Sequence, residues 1–340
     1  MKAIHETVFM SALRSFFVAL FGVLGALIAL FLVVFALVGL FVATEDKSLP
    51  SNVKILPDAK GKRKELASSA PVILQIDVKG KVGEGNLTGE KVEEVLLDSR
   101  EKDFKKGRVK GILLNINTPG GAANDSDVIY RHLKTYKERY DVPVFAYVNG
   151  MCASGGYYIA CAADKIYASD SSLIGSIGVL AWPPFLNLAD TLEKLGVKPL
   201  TLSAGKGKDE LNPFRPWKEG EQKHYQKIIN FFYREFVAIV SENRQIPVDF
   251  LVDEVGAEAY PSPKALDFGL IDGERYTRAL VLEELAEAAG IEGKYQVVSF
   301  ETSSWWQQLY QNASQNPLIT GKIKHELSLP NLEGYPLSFY

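Results

Sequence analysis

From Phe16 to Ala43 the chain runs FFVALFGVLGALIALFLVVFALVGLFVA, 28 positions without a charged residue. Wound as a helix at ~1.5 Å per residue, this run is longer than the ~30 Å hydrocarbon core of a bilayer, and it predicts a transmembrane helix. A cleaved signal peptide has an apolar core of roughly 7–15 residues and small residues at the cleavage positions. Here Phe41 stands two before Ala43. The chain is therefore read as a short segment 1–15, an anchor 16–43 and everything that follows. Charge alone leaves the membrane side open. Lys2 and Arg14 precede the span and Lys47, Lys54, Lys60, Lys62, Arg63 and Lys64 follow it, a bias towards a cytoplasmic main domain. Large domains translocate largely regardless of that bias.

Residues 44–69 are polar and contain prolines, and they read as a tether. After them PVILQIDVKGKV begins a folded domain with a strand at about 71–79. A helix is expected from Thr88 through Lys105. The centre of the chain then repeats one unit twice. VKGILLNIN (109–117) is an apolar strand ending in Thr118-Pro119-Gly120-Gly121, followed by a helix with Val128, Ile129, Leu133 and Tyr136 at helical spacing. Residues 142–148 repeat the pattern, end at Gly150 and enter a helix near Ser154. A third strand, KIYAS (165–169), follows. Strands alternating with helices argue for an α/β fold with both sheet faces covered. Farther on come a loop-rich region at 180–220, a long amphipathic helix from Glu219 to Asn243 and another helix at 275–289. Residues 296–340 read as an irregular tail.

A net charge of −3 with no long basic run excludes nucleic acid as a partner class. The two cysteines, Cys152 and Cys161, make neither a disulfide framework nor a four-ligand zinc site and read as small buried residues, so no metal is expected.

The chemistry concentrates in GMCASGGYY (150–158). Where a strand stops and a helix starts, the first helical N–H groups are unpaired and carry partial positive charge. A hydroxyl there, that of Ser154, faces donors able to stabilise an anion, and the strand-to-helix turn after TPGG supplies a second set of free N–H groups. Taken singly, Ser154 reads first as a helix N-cap and the glycine pairs as turn residues. A serine needs a base. Of the four histidines, His5 precedes the anchor, His325 lies in the tail, and His132 and His224 fall on polar helix faces, so a Ser-His-Asp triad is the weaker choice. A lysine serves if desolvation lowers its pKa from ~10.4 towards ~7–8. LSAGKGKDELNPF offers Lys206 and Lys208, next to Asp209 and Glu210, which would raise that pKa if close. Spacing does not choose between the lysines.

The set NTPGG (117–121), CASGGYYIACAADKIYA (152–168), IGSIGV (174–179), SAGKGKDELNP (203–213) and ALDFGLIDG (265–273) resembles the signal peptide peptidase A family of membrane-anchored Ser/Lys peptidases, in its short single-repeat form. The resemblance covers roughly residues 70–290 with the motifs in order. It implies a Clp-protease/crotonase-like fold with repeated ββα units, here a domain at 70–295. It implies Ser154 as nucleophile, Lys208 as general base with Lys206 as its rival, Ser176 as the serine that orients the lysine amine, and the backbone of Gly121 and Gly155 as oxyanion donors. It also implies a homo-oligomeric ring in which serine and lysine meet from adjacent subunits, no cofactor, and a domain outside the bacterial inner membrane that degrades hydrophobic peptides such as signal peptide remnants. The apolar residues of LAWPPF (180–185) then help to bind peptide, or pack at a ring interface. A crotonase-like thioester enzyme and a catalytically silent membrane scaffold of the same fold are the alternatives.

Overall fold

The computed structural model describes residues 53–300 and, N-terminal to them, residues 10, 11, 13–25, 28–30 and 33. The segment 1–9, the second half of the expected anchor, the start of the tether and 301–340 lie outside the described residues. The chain divides into two compact units, 1–51 and 52–340. In the first, helix α1 (Leu13–Leu30, mean hydropathy 2.2) is long and apolar enough to cross a membrane, by length and composition.

The second unit is built on a sheet of eight strands among the described residues: β1 (Val53–Leu56), β2 (Val72–Lys79), β3 (Val109–Thr118), β4 (Val144–Ala153), β5 (Lys165–Ala168), β6 (Leu173–Gly175), β7 (Ala259–Pro261) and β8 (Gln296–Phe300). Their order is β1-β8-β2-β3-β4-β6-β7, with β5 also paired to β4. The strands from β8 through β6 are mutually parallel, and β1 and β7 close the two ends antiparallel. Parallel strands covered on both faces must be apolar almost throughout. Accordingly Val72, Ile73, Leu74, Ile76 and Val78 of β2 and Ile112, Leu113, Leu114 and Ile116 of β3 are all buried. This is the mixed α/β architecture, a largely parallel sheet with its faces covered, that the alternating pattern implies.

Helices α2 (Gly89–Asp98), α3 (Ala123–Tyr140), α4 (Gly155–Ala160), α5 (Ala189–Lys194), α6 (Gln222–Arg244), α7 (Val248–Phe250), α8 (Ser262–Asp267) and α9 (Arg278–Ala288) complete the unit. Helix α3 buries Ser126, Ile129, Tyr130, Leu133 and Tyr136, one stripe at helical spacing. Helix α9 covers the other sheet face, where Val281, Leu282, Leu285 and Ala286 meet Ile73, Leu113, Phe145, Tyr147, Tyr167 and Val297. Strand β3 admits it closely, because a Cβ on Gly111 would sit 3.1 Å from Leu285 Cδ1.

Three boundaries differ from expectation. Helix α2 stops at Asp98 rather than 105; Ser99 Oγ turns back to the Leu96 carbonyl, and a 3-10 turn at Lys102–Phe104 then buries the Phe104 ring. Residues 53–56, expected in the tether, and 296–300, expected in the tail, are strands of the sheet. Val297 and Val298 are fully enclosed, with β8 parallel to β2 on one side and antiparallel to β1 on the other. Runs this short, each paired with a distant segment, carry no local signature. The folded unit thus extends beyond 70–295 at both ends. A chain ending at Tyr295 should lose its cooperative thermal transition, whereas one ending just past Phe300 should keep it, as followed by circular dichroism.

Candidate active site

Parallel pairing brings the C-terminal ends of β3 and β4 to the same sheet edge, and the register shift after Ile116 sets Thr118 opposite Cys152. Each strand then turns into a helix. After β3 the turn Pro119-Gly120-Gly121 leads to α3; after β4, Ser154 leads directly into α4. Ser154 has φ 52° and ψ −124°, a conformation that L residues adopt at a cost and that aims a side chain out of a strand-to-helix turn. Its N–H donates to the Gly175 carbonyl (2.9 Å), and its own carbonyl accepts from the Tyr157 and Tyr158 amides. The hydroxyl is fully buried and has no hydrogen-bond partner. It is therefore not an N-cap, since it accepts no helical N–H.

The glycines permit contacts that side chains would forbid. A Cβ on Gly120 (φ 98°) would stand 2.8 Å from both Ser154 Cβ and the Gly155 nitrogen. On Gly155 it would fall 2.2 Å from Ser126 Oγ and 3.4 Å from the Gly121 nitrogen. The Gly121 and Gly155 nitrogens thus lie close together beside Ser154, and neither amide is taken by a carbonyl among the described residues. Such a pair of donors suits a developing oxyanion.

Second-layer bonds hold this region. Thr118 Oγ donates to the Gly80 carbonyl (2.5 Å) and accepts from the Gly120 amide (3.0 Å). Val82 N–H donates to the Gly120 carbonyl and the Val82 carbonyl accepts from Ala122, each at 2.9 Å. Tyr157 donates its hydroxyl proton to the Leu270 carbonyl at 2.7 Å, fastening α4 to the segment before Asp272. Burial alone would push the Asp272 carboxyl up. The Arg244 guanidinium 2.8 Å away outweighs it and holds the carboxyl below its usual value. Thr118 lies inside a quoted motif, and Ser126, a small polar residue in the buried stripe of α3, is a legible signal; Val82 carries none.

Ser176, at φ 53°, is half-buried and directly follows Gly175, whose carbonyl receives the Ser154 amide, so the structure brings these two serines to one place. Lys208 and Lys206 are not brought to Ser154 Oγ within the chain. Both are exposed on the turn of residues 205–210 and neither makes an ion pair among the described residues. Their acidic neighbour is occupied elsewhere: Asp209 accepts from Asn212 and from Arg215, each at 2.5 Å, and those two bonds hold its carboxyl below the ordinary value. Arg215 also bonds Glu221, whose Oε2 accepts the Leu211 amide. One guanidinium therefore staples the loop while Lys208 points free of it. His132 lies 3.8 Å from Glu93 and His224 stands against Tyr225, both away from Ser154; His5 and His325 are outside the described residues. Cys152 and Cys161 are buried free thiols, and burial pushes both up, Cys161 to about 12, so neither is a nucleophile. Leu180, Trp182 and Phe185 of the LAWPPF loop are exposed.

A cavity of 250 Å³ opens at Gly155 and Ser126, between α3, α4 and α6. Tyr158 donates its hydroxyl proton to Asp127 Oδ1 there at 2.7 Å, and burial followed by that bond drives the phenol far above its usual value.

Residues 137–292 match the family described as Peptidase family S49, and residues 88–182 match the NfeD1b N-terminal domain. A Methanocaldococcus jannaschii protein named as a protease is 36% identical over 196 residues, 58% of this chain and 60% of the relative. An Enterococcus faecium protein bearing the name signal peptide peptidase SppA is 31% identical over 251 residues, 71% of this chain and 72% of the relative. The chain thus spans about three-fifths to three-quarters of these relatives' lengths. Among solved structures, a serine-to-alanine mutant of the membrane-bound stomatin-specific protease 1510-N superposes with a TM-score of 0.39 at 16% identity, covering 70% of this chain and 100% of that one. A buried serine at a strand-to-helix turn beside two open amides has the chemistry that acyl transfer needs. The chain belongs to peptidase family S49, the family that includes proteins named SppA.

A Cβ on Gly156 would lie 2.4 Å from Thr118 Cγ2. Gly156→Ala should therefore lower the thermal midpoint and abolish any Ser154-dependent hydrolysis. Adding Thr118→Ser, which removes that methyl and keeps the hydroxyl, should restore much of both.

Proposed function

We propose that this protein is a membrane-anchored serine endopeptidase that cleaves hydrophobic peptides, signal peptide remnants among them, with a Ser154/Lys208 dyad completed between subunits. The observation that carries the reading is the Ser154 hydroxyl: buried, without a partner, held at φ 52° and flanked by two open amides, in a chain whose Lys208 amine stands unpaired on an exposed loop. Each group lacks what the other offers, and a neighbouring copy in a ring would bring them together.

On entering that contact Lys208 loses water, which favours its neutral form. The neutral amine takes the Ser154 proton as Oγ adds to the peptide carbonyl carbon, and the oxyanion is held by the Gly121 and Gly155 amides. Collapse expels the amine half of the peptide, which takes the proton from Lys208. Water, deprotonated by the same amine, then releases the acyl half and regenerates Ser154. Ser176 accepts a hydrogen bond from the lysine and fixes its direction. The apolar helix α1 supplies the anchor, and the exposed Leu180, Trp182 and Phe185 suit an apolar peptide or the neighbouring subunit.

The test is hydrolysis of apolar peptides by the full chain in detergent. Ser154→Ala and Lys208→Ala should each reduce kcat/KM by at least about a thousandfold. Remixing the two variants should restore activity at roughly a quarter of the interfaces of a head-to-tail ring. Undiminished turnover in Ser154→Ala would overturn the mechanism in favour of a thioester-type site, and no turnover in the parent chain would favour a scaffold.

A further inference from the structure

The cavity beside Gly155 is mixed in character. Tyr158, Val179, Phe231, Phe232 and Phe236 form its apolar walls, while Asp127, Arg131 and Glu235 are its charged groups. Two of those charges cancel: Arg131 Nε lies 2.7 Å from Asp127 Oδ2, and Asp127 Oδ1 accepts the Tyr158 hydroxyl at 2.7 Å. Glu235 is different. It makes no ion pair or side-chain hydrogen bond among the described residues, so the cavity carries one uncompensated negative charge at its α6 wall. Phe231, one helical turn earlier on α6 and 51% exposed, lines the same wall of the cavity.

Position ties the cavity to the chemistry. The Gly121 and Gly155 amides fix where the scissile carbonyl oxygen goes, and the cavity begins at Gly155 and at Ser126, whose Oγ packs against it. The side chain on the residue that contributes that carbonyl leaves the reacting carbon by one further atom, so it enters here. A cavity with aromatic walls and a single net negative charge favours an amphipathic guest: an alkyl stem against the rings and a cation that meets both a ring face and a carboxylate. Resting on the Ser154 peptidase reading, we propose that this cavity receives the side chain on the acyl side of the scissile bond and that Glu235 selects there for arginine or lysine.

The charge is isolated by comparing arginine with citrulline, which has nearly the same shape without the cation. Full-length protein in detergent is given apolar fluorogenic peptides identical except at the acyl-side residue, carrying arginine, citrulline, leucine or glutamate. The parent chain should favour arginine over citrulline in kcat/KM by roughly fivefold, the size expected of a half-exposed ion pair, and should turn over glutamate least. Glu235→Gln should bring the arginine-to-citrulline ratio to one, and Glu235→Lys should invert it. Equal use of arginine and citrulline by the parent, or a preference that survives Glu235→Gln, overturns the proposal while Ser154-dependent cleavage of leucine peptides leaves the peptidase intact. Absence of any Ser154-dependent cleavage overturns both.

Discussion

The parallel pairing of β3 with β4 is the constraint on which the site depends. Two parallel strands end at the same edge, and each must leave it through a helix whose first amides lack partners. The register that puts Thr118 opposite Cys152 makes those two exits adjacent, so the Gly121 amide, the last of TPGG, and the Gly155 amide, just after Ser154, lie side by side. Nothing larger than glycine fits at the crossing. The strain at Ser154 is sustained because its amide is bonded to Gly175 and its carbonyl to α4, while Gly155 and Gly156 pack closely against Ser126 and Thr118. Among the described residues the hydroxyl has no hydrogen-bond partner, and the Gly121 and Gly155 amides near it are open as well.

The same economy of partners governs the lysine loop. Asp209 beside Lys208 would hold an amine in its charged form, but Arg215 and Asn212 take both its oxygens. Arg215 is in turn centred between Asp209 and Glu221. The loop is closed on itself electrostatically, and Lys206 and Lys208 are left exposed on it.

The elements that build this centre are legible because their signals are local. VKGILLNIN and VPVFAYV announce buried parallel strands, and the glycine pairs announce where those strands must turn. The lysine is not legible from spacing, since GKGKD reads as an exposed loop and is one; only the resemblance singles out Lys208. Strands β1 and β8 escape because four or five residues in partnership with segments hundreds of positions away leave no periodicity to read. The cavity escapes for the same reason. Asp127 and Tyr158 meet across the helices after β3 and β4, and Glu235 comes from a third helix far along the chain, so no stretch of sequence contains the pocket.

The pairing of Val53–Leu56 with Val297–Phe300 joins the first described strand of the sheet to the last. Contacts so distant along the chain form late, after the entropy of closing nearly the whole folded length has been met. A polypeptide emerging from its N-terminus therefore carries β1 and one edge of β2 unpaired until β8 arrives. The β1–β8 end of the sheet is thus the part that waits for the last described strand, while β2, β3, β4 and β6 pair without it. The timing of assembly is thus written into the order of the strands.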